Sequence, residues 1–255
     1  TYEDDSLVQK PGMLEVSHVS FVYPGREKIY EDFNLSAFPG QIIGVTGAVA
    51  CGKSTLGKTF LCEYPYEGRI RFHGKELSEM TKAERTGMIG YLGHDPELFN
   101  DSVRNNILLG DDDDPEKYLK AVCFDGEVAE MEEGMDTIVG NGGVRLSGGQ
   151  AQRLALARTL CHKRPVLILD DPFSALDCKT EEEVFANLRK FTADSIVILL
   201  SHRLYLFPEM DQVLWMEAGK VTAGTHEQIL EKFPEYARLY EAQADGADAH
   251  STQEE

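Results

Sequence analysis

The chain is short of several things, and each shortage narrows what it can be. No apolar run approaches the ~18 residues that a membrane-spanning helix requires; the longest, such as Ile196 to Leu200, are far shorter. Cations are scarce: 25 lysines and arginines stand against 44 acids, a formal net charge of -19. Phosphate backbones demand a basic face, so nucleic acid is not expected as a partner. The five cysteines (Cys51, Cys62, Cys123, Cys161 and Cys178) are odd in number and lack C-x-x-C spacing. That argues against a disulfide framework and for free thiols in a reducing, cytosolic setting. Residues Thr1 to Gly12 are polar and acidic, without the apolar centre of a secretory signal. No internal repeat is present. What remains is globular: 255 residues, 42 % hydrophobic and 27 % charged, enough for one domain with a sizeable core.

The most informative stretch is Gly47-Ala48-Val49-Ala50-Cys51-Gly52-Lys53-Ser54-Thr55. It fits G-x-x-x-x-G-K-[ST], in which a glycine-rich loop turns its backbone N–H groups inward around phosphates. The bare pattern arises by chance in about one chain in a hundred of this size. Its context lowers that further. Gln41 to Thr46 reads as a buried strand, and Leu56, Phe60 and Leu61 recur at helical spacing, so the loop opens a helix whose positive end faces an anion. Gly47 and Gly52 supply turns a side chain would block. Lys53 is placed to reach β- and γ-phosphates, and the Ser54 hydroxyl to sit on Mg²⁺. Cys51 lies in the same loop beside a lysine and a helix N-terminus, a setting that activates thiols. It reads equally as a small residue that fits a tight turn.

Around this loop the pattern is strand-rich. Residues 13–23 alternate as a strand, a second strand-like stretch runs to Phe38, and Arg69 to Phe72 and Ile89 to Leu92 follow. Residues 97–146 are acidic and helix-compatible. Their Asp111 to Asp114 run reads as a solvated loop whose acids, with Pro115, start a helix, and not as a metal site. Leu146-Ser147-Gly148-Gly149-Gln150 then opens a strong helix former, Ala151 to Leu160. A hydroxyl and exposed N–H groups at its start make a second anion-binding terminus.

Val166 to Leu169 is apolar throughout, as in a parallel strand covered on both faces. Asp170 and Asp171 follow at its C-terminal tip, where open α/β sheets bind ligands; two adjacent acids could be an acidic turn, but after a buried strand in a chain with a phosphate loop a Mg²⁺-organising acid is the better reading. Ser195 to Leu200 is another buried strand, ending in Ser201-His202 at the same edge. Residues 181–190 look helical; Val213 to Met216 and Val221-Thr222 form a hairpin; Thr225 to Gln228 is a capping box. From about Ala244 the small, acidic composition predicts a disordered tail, 244–255.

These motifs, in this order, resemble the nucleotide-binding domain of an ABC (ATP-binding cassette) transporter of the exporter type, from about residue 13 to 243. Tyr23 falls at the adenine-stacking position, and Leu146–Gln150 is the family's signature. Ile168-Leu169-Asp170-Asp171-Pro172, Ser174-Ala175-Leu176-Asp177 and His202 complete the series. The segment Gly134–Gly140 looks like exporter half-transporters. The resemblance implies an α/β fold: a P-loop NTPase (RecA-like) core with an antiparallel β subdomain and an inserted α-helical subdomain at about 97–160. It also implies ATP and Mg²⁺ as ligands and ATP hydrolysis as the activity. Cofactor-binding residues would be Tyr23, Gly47, Ala50, Cys51, Gly52, Lys53, Ser54 and Thr55, with Ser147, Gly148, Gly149 and Gln150 acting across a dimer. Ser54, His94 and Asp170 would face the metal, and Lys53, His94, Asp171 and His202 the reaction. The implied partners are a second cassette, identical or different, and exporter transmembrane domains at the cytoplasmic face of a membrane.

Three positions depart from the family pattern. Asp171 stands where a glutamate orients the attacking water, His94 where a glutamine contacts metal and water, and Asn141 where a glutamate precedes the signature. Aspartate is only ~0.4 pKa units more acidic than glutamate. It is also a methylene shorter, and a misplacement of about an ångström can cost about a hundredfold in rate. Slow hydrolysis at the chain's own site is therefore expected, which suits one half of a heterodimeric exporter. Two other readings stand beside the ATPase motor. One is an ATP-binding regulatory module; the other is a soluble ABC ATPase of repair or translation, which the acidity and lack of heptads oppose. A GTPase is disfavoured because Thr81-Lys82-Ala83-Glu84, the nearest stretch to a guanine-reading motif, ends in the wrong acid.

Overall fold

Apolar residues alternate along most strands, and in the computed structural model they sort into two cores on opposite faces of one sheet. The structure describes residues 12–48, 50–140 and 142–251, with 244–251 described by backbone alone. Val49 of the phosphate loop, Asn141 and the segments 1–11 and 252–255 lie outside the described residues.

The strands are β1 (Leu14–Val22), β2 (Lys28–Ala37), β3 (Ile42–Gly47), β4 (Glu67–Phe72), β5 (Lys75–Glu76), β6 (Ile89–Leu92), β7 (Asp101–Ser102), β8 (Ile138–Val139), β9 (Val166–Asp170), β10 (Ile196–Leu200), β11 (Gln212–Glu217) and β12 (Lys220–Gly224). The helices are α1 (Lys53–Thr59), α2 (Lys82–Met88), α3 (Val103–Leu108), α4 (Pro115–Ala121), α5 (Asp125–Ala129), α6 (Gly148–Cys161), α7 (Cys178–Phe191), α8 (His226–Lys232) and α9 (Pro234–Ser251). Among the described residues ten strands form one sheet in the order β5-β4-β1-β2-β12-β11-β3-β10-β9-β6. One half, β5-β4-β1-β2, is antiparallel; β11, β3, β10, β9 and β6 run parallel. Between the halves the ladder narrows to the parallel pair Lys220 and Glu31.

Among the parallel strands, β3, β9 and β10 are buried along their whole length, as their near-continuous apolar sequence requires. Val166, Ile168, Ile196, Ile198 and Leu200 join Leu56 of α1, its C-cap Phe60 and the antiparallel strands on one face. Leu167, Leu169, Val197 and Leu199 face α6, α7 and the α3–α5 helices on the other. Helix α1 also stitches the antiparallel half to the core. The buried Tyr30 hydroxyl on β2 lies 2.6 Å from Thr59 Oγ1, which itself donates to the Thr55 carbonyl.

The helix starts follow local chemistry. Ser102 caps α3, and Asp114 accepts from the Glu116 N–H with Pro115 in the first turn of α4. The four-aspartate run is thus a helix entry: Asp113 accepts from Lys117 and Tyr118, at 2.6 and 2.7 Å. Thr81-Lys82-Ala83-Glu84 is itself a capping box opening α2, which accounts for its residues without any base-reading role. Thr225 and Gln228 form the capping box of α8. Helix α7 begins earlier than its apolar spacing indicates, at Cys178, because Asp177 accepts from the Thr180 N–H. The closing helix α9 continues past Ala244 to Ser251, through the stretch whose composition turns small and acidic.

Helix α9 is held to the core by Tyr236, which is fully buried, packs edge-on to Trp215 and lies 2.7 Å through its hydroxyl from His226 Nδ1. Burial lowers the His226 pKa, so the folded chain binds fewer protons there than the unfolded chain near the imidazole range. The stability this group contributes is therefore complete above about pH 6.5 and is lost as the pH falls toward the lowered value. Urea unfolding should show a midpoint that drops below pH 6.5, with a shallower drop in His226→Gln. At neutral pH Tyr236→Phe should cost about 1 kcal/mol.

Candidate functional site

Parallel strands place their C-terminal ends on one edge, and here that edge gathers residues distant in sequence. Val45 pairs with Leu200, and Leu200 with Asp170, in adjoining strands. The phosphate loop after β3, the acid pair after β9 and Ser201-His202 after β10 therefore leave the sheet side by side.

The loop itself is tightly wound. Ala50 takes φ 63° and Gly52 φ 105°, both left-handed. A Cβ on Gly52 would lie 2.3 Å from Ile29 Cγ2, so glycine is required there by conformation and by space. Gly52 is the N-cap residue of α1. Lys53 is only 7 % exposed, and its ammonium turns back on the loop, donating to the Gly47 and Ala48 carbonyls at 3.1 and 3.2 Å, with Cys51 Sγ at 3.9 Å. Burial lowers its pKa, while Asp171 and Asp170 oppose that shift. Ser54 and Thr55 open α1 on the exposed side.

Opposite the lysine, Asp170 is 8 % exposed and accepts from the Tyr91 hydroxyl at 3.1 Å. Asp171 takes φ 52°. Its side chain is 15 % exposed, with Oδ2 at 3.9 Å from His94 Nδ1. Burial raises the Asp171 pKa against the pull of His202 and His94. The His202 pKa is lowered, first by burial and then by the Lys53 charge. Lys53, Asp170, Asp171, His94 and His202 thus form one electrostatic cluster. Among the described residues no three His, Cys, Asp or Glu side chains could hold a metal ion by themselves. Of the residues expected to face Mg²⁺, Asp170 and His94 belong to this cluster, and Ser54 follows Lys53 in the first turn of α1.

Tyr23 belongs to the same face through α1. Its hydroxyl lies 3.3 Å from Thr55 Oγ1, and its ring is edge-on to Tyr64, with centroids 5.3 Å apart. Tyr64 is 44 % exposed, a second aromatic beside Tyr23 with no sequence pattern to announce it.

The serine–glycine corner lies elsewhere. Ser147 caps α6 reciprocally with Gln150, whose side-chain amide also donates to Glu127 at 2.7 Å. Gly149 packs so closely on the 174–177 segment that a Cβ would lie 2.9 Å from the Ala175 carbonyl oxygen. No hydrogen bond or ion pair among the described residues joins Ser147–Gln150 to the phosphate loop. The 174–177 segment is held in turn by Arg203, which donates to the Ser174 and Leu176 carbonyls and pairs with the buried Glu181 at 2.6 Å. Tyr91, Gln152, Glu181 and Arg203 were not legible as site residues in sequence. They act through backbone carbonyls and a buried carboxylate, which no spacing rule encodes.

A family model for the ABC transporter matches residues 30–174. The chain belongs to the ABC transporter family. As an ABC nucleotide-binding domain it is 35 % identical over 243 residues to a probable multidrug resistance ABC transporter ATP-binding/permease protein, YheI, of Bacillus subtilis, covering 92 % of this chain and 42 % of that protein. It is 38 % identical over 237 residues to an ATP-dependent lipid A-core flippase of Pseudomonas syringae pv. tomato, covering 90 % of this chain and 40 % of that one. A bacterial Atm1-family ABC exporter solved with ATP bound superposes with a TM-score of 0.84 at 30 % identity, over 93 % of this chain and 43 % of that one. The chain therefore spans about two fifths of the length of the relatives it matches. No described helix is long and apolar enough to cross a membrane. The expected P-loop NTPase fold, the exporter-type resemblance and the assignment as an ABC ATPase module all hold.

If Gly52 is required as the geometry indicates, Gly52→Ala should lower ATP affinity at least about tenfold by titration calorimetry, because the loop must open away from Ile29. The fold, built on strands outside the loop, should keep its far-ultraviolet circular dichroism.

Proposed function

We propose that this chain is one cassette of an ATP-driven exporter, closing head-to-tail on a second cassette around ATP at the cytoplasmic face of a membrane. The observation that carries this reading is the separation within a single chain. A phosphate loop with Lys53, Asp170, Asp171, His94 and His202 gathers at one edge, while the anion-binding corner Ser147–Gln150 stands apart and makes no described polar contact with it. Such a chain offers two half-sites with no described hydrogen bond or ion pair between them. Head-to-tail pairing completes both, as each triphosphate on one loop is met by the other cassette's serine–glycine corner.

Within that arrangement the residues divide the work by chemistry. Backbone N–H groups of Ala50, Cys51 and Gly52 and the N-terminus of α1 bind phosphate oxygens, and Tyr23 stacks on the base. Lys53 exchanges two carbonyl partners for phosphate oxygens, which restores a full charge partner to a buried cation. Ser54, Asp170 and His94 would hold Mg²⁺, which neutralises phosphate charge when bound. Asp171 and His202 flank the position of the attacking water. Loss of the γ-phosphate removes the anion that the Ser147–Gly149 terminus binds, so the pair opens and passes motion to transmembrane partners.

The chain's own phosphate-loop site is the weak one, which favours a heterodimer whose partner retains a glutamate. Burial raises the Asp171 pKa, which works against the small acidity difference between aspartate and glutamate. The shortfall is reach: the carboxylate is a methylene short, with His94 Nδ1 at 3.9 Å. A cassette that closes on ATP and scarcely hydrolyses it at this site remains the second reading, favoured by the same two residues.

Steady-state ATPase of the chain alone and mixed with a glutamate-bearing partner cassette tests this directly. We expect turnover well below one per second alone, and a gain of at least about tenfold for Asp171→Glu. Turnover of several per second in the unaltered chain, with no gain from glutamate, would refute the asymmetry. Absence of ATP-dependent pairing in sedimentation would refute the sandwich.

A further inference from the structure

One buried side chain joins the two half-sites inside the chain. Gln152 lies one turn into α6 from the serine–glycine corner and is 3 % exposed. Its amide nitrogen donates to the Asp171 carbonyl at 2.8 Å, and its amide oxygen accepts from Ser174 Oγ at 3.1 Å. Both ends of the side chain are therefore spent on the segment that carries the site carboxylate.

That segment needs holding. Asp171 sits at φ 52°, a left-handed conformation that residues with a Cβ adopt only where the surroundings impose it. Its N–H is fixed to the Leu200 carbonyl at 2.8 Å by β10. Its carbonyl has Gln152 and one longer bond from the Ser174 N–H at 3.3 Å. Without Gln152 only the long bond remains, and the left-handed turn loses its stronger clamp. The side chain that this turn aims is the one facing His94.

We infer that Gln152 is a positioning residue that ties the α6 corner to the backbone of this chain's own Asp171, so that engagement of the corner by a nucleotide is registered at the carboxylate. The inference rests on the reading that Ser147–Gln150 closes on a triphosphate held by another cassette. Helix α6 is a continuous 14-residue rod, so a shift of its N-terminus carries Gln152 with it. The Gln152 bonds then pull on Asp171 and Ser174 together. Arg203, anchored on the Ser174 and Leu176 carbonyls, keeps the 174–177 segment from moving independently. A purely structural glutamine would satisfy its own polar atoms and pack, with no effect specific to Asp171.

The test uses Gln152→Met, which keeps length and packing but makes neither hydrogen bond, examined by three measurements. Its crystal structure should show Asp171 out of the left-handed region and its carboxylate displaced from His94, a result readable whether or not the chain hydrolyses ATP. ATP affinity should stay within twofold of the parent, since the phosphate loop is untouched. Paired with a partner cassette whose glutamate is replaced by glutamine, so that the remaining turnover runs through Asp171, kcat should fall roughly tenfold with KM unchanged, and Gln152→Met should add nothing in an Asp171→Asn background. Asp171 keeping φ near 52° in the variant, or an undiminished loss of kcat in the Asp171→Asn background, overturns the inference. Should Gln152→Met not fold, Ser174→Ala frees the amide oxygen alone. Gln152 turned away from the Asp171 carbonyl then supports the coupling, and an unmoved Gln152 with unchanged kcat overturns it. Failure of the sandwich itself would show instead as no ATP-dependent pairing of the parent chain.

Discussion

Everything at the site depends on a run of parallel strands buried on both faces. Because β3, β9 and β10 have no solvent-facing side, their sequences are apolar but for Thr46 near the end of β3 and Asp170 at the tip of β9, and polar chemistry is confined to their ends. Val45, Leu200 and Asp170 share adjoining rungs, so a phosphate loop and an acid pair more than a hundred residues apart emerge together. A one-residue slip of β9 would turn Leu169 and Asp170 to opposite faces and bury the acid in the α1 or α6 core. The packing of the interior thus sets the position of the charges.

The second constraint is economy of contacts around the two half-sites. The serine–glycine corner is fixed by its own capping box, by Glu127 and by close packing on Ala175, and the acid pair by Tyr91, Leu200 and Gln152. Arg203 and Glu181 brace the segment between them, with Glu181 almost fully buried in a pair that keeps both groups hydrogen-bonded. The polar framework of the site is a chain of side chain–to–backbone bonds, and each bond fixes a loop that regular secondary structure does not reach.

Much of this was legible before any coordinates. The phosphate loop, the apolar strand before Asp170, the hairpin after Val213 and the capping box at Thr225 each follow a local rule, and each lies where that rule puts it. The α7 start was misjudged because the apolar spacing begins after Glu181, whereas Asp177 caps the helix one turn earlier. Tyr64, Tyr91, Gln152 and Arg203 were invisible for a different reason. Their importance lies in which carbonyl, ring or carboxylate they meet, and those partners are set by sheet order and helix packing. The reading of Asp171 needed both: its identity came from the sequence, its left-handed backbone and its histidine neighbours from the fold.

The sheet narrows to one rung between its antiparallel and parallel halves, and α1 bridges those halves a second time. Thr55 and Thr59, one turn apart on α1, meet Tyr23, just past the end of β1, and Tyr30 of β2. The helix that begins at the phosphate loop is thereby fastened both to the end of β1 at Tyr23 and to β2. Loop and ring travel with that helix, so a displacement at one reaches the other without passing through the narrow rung.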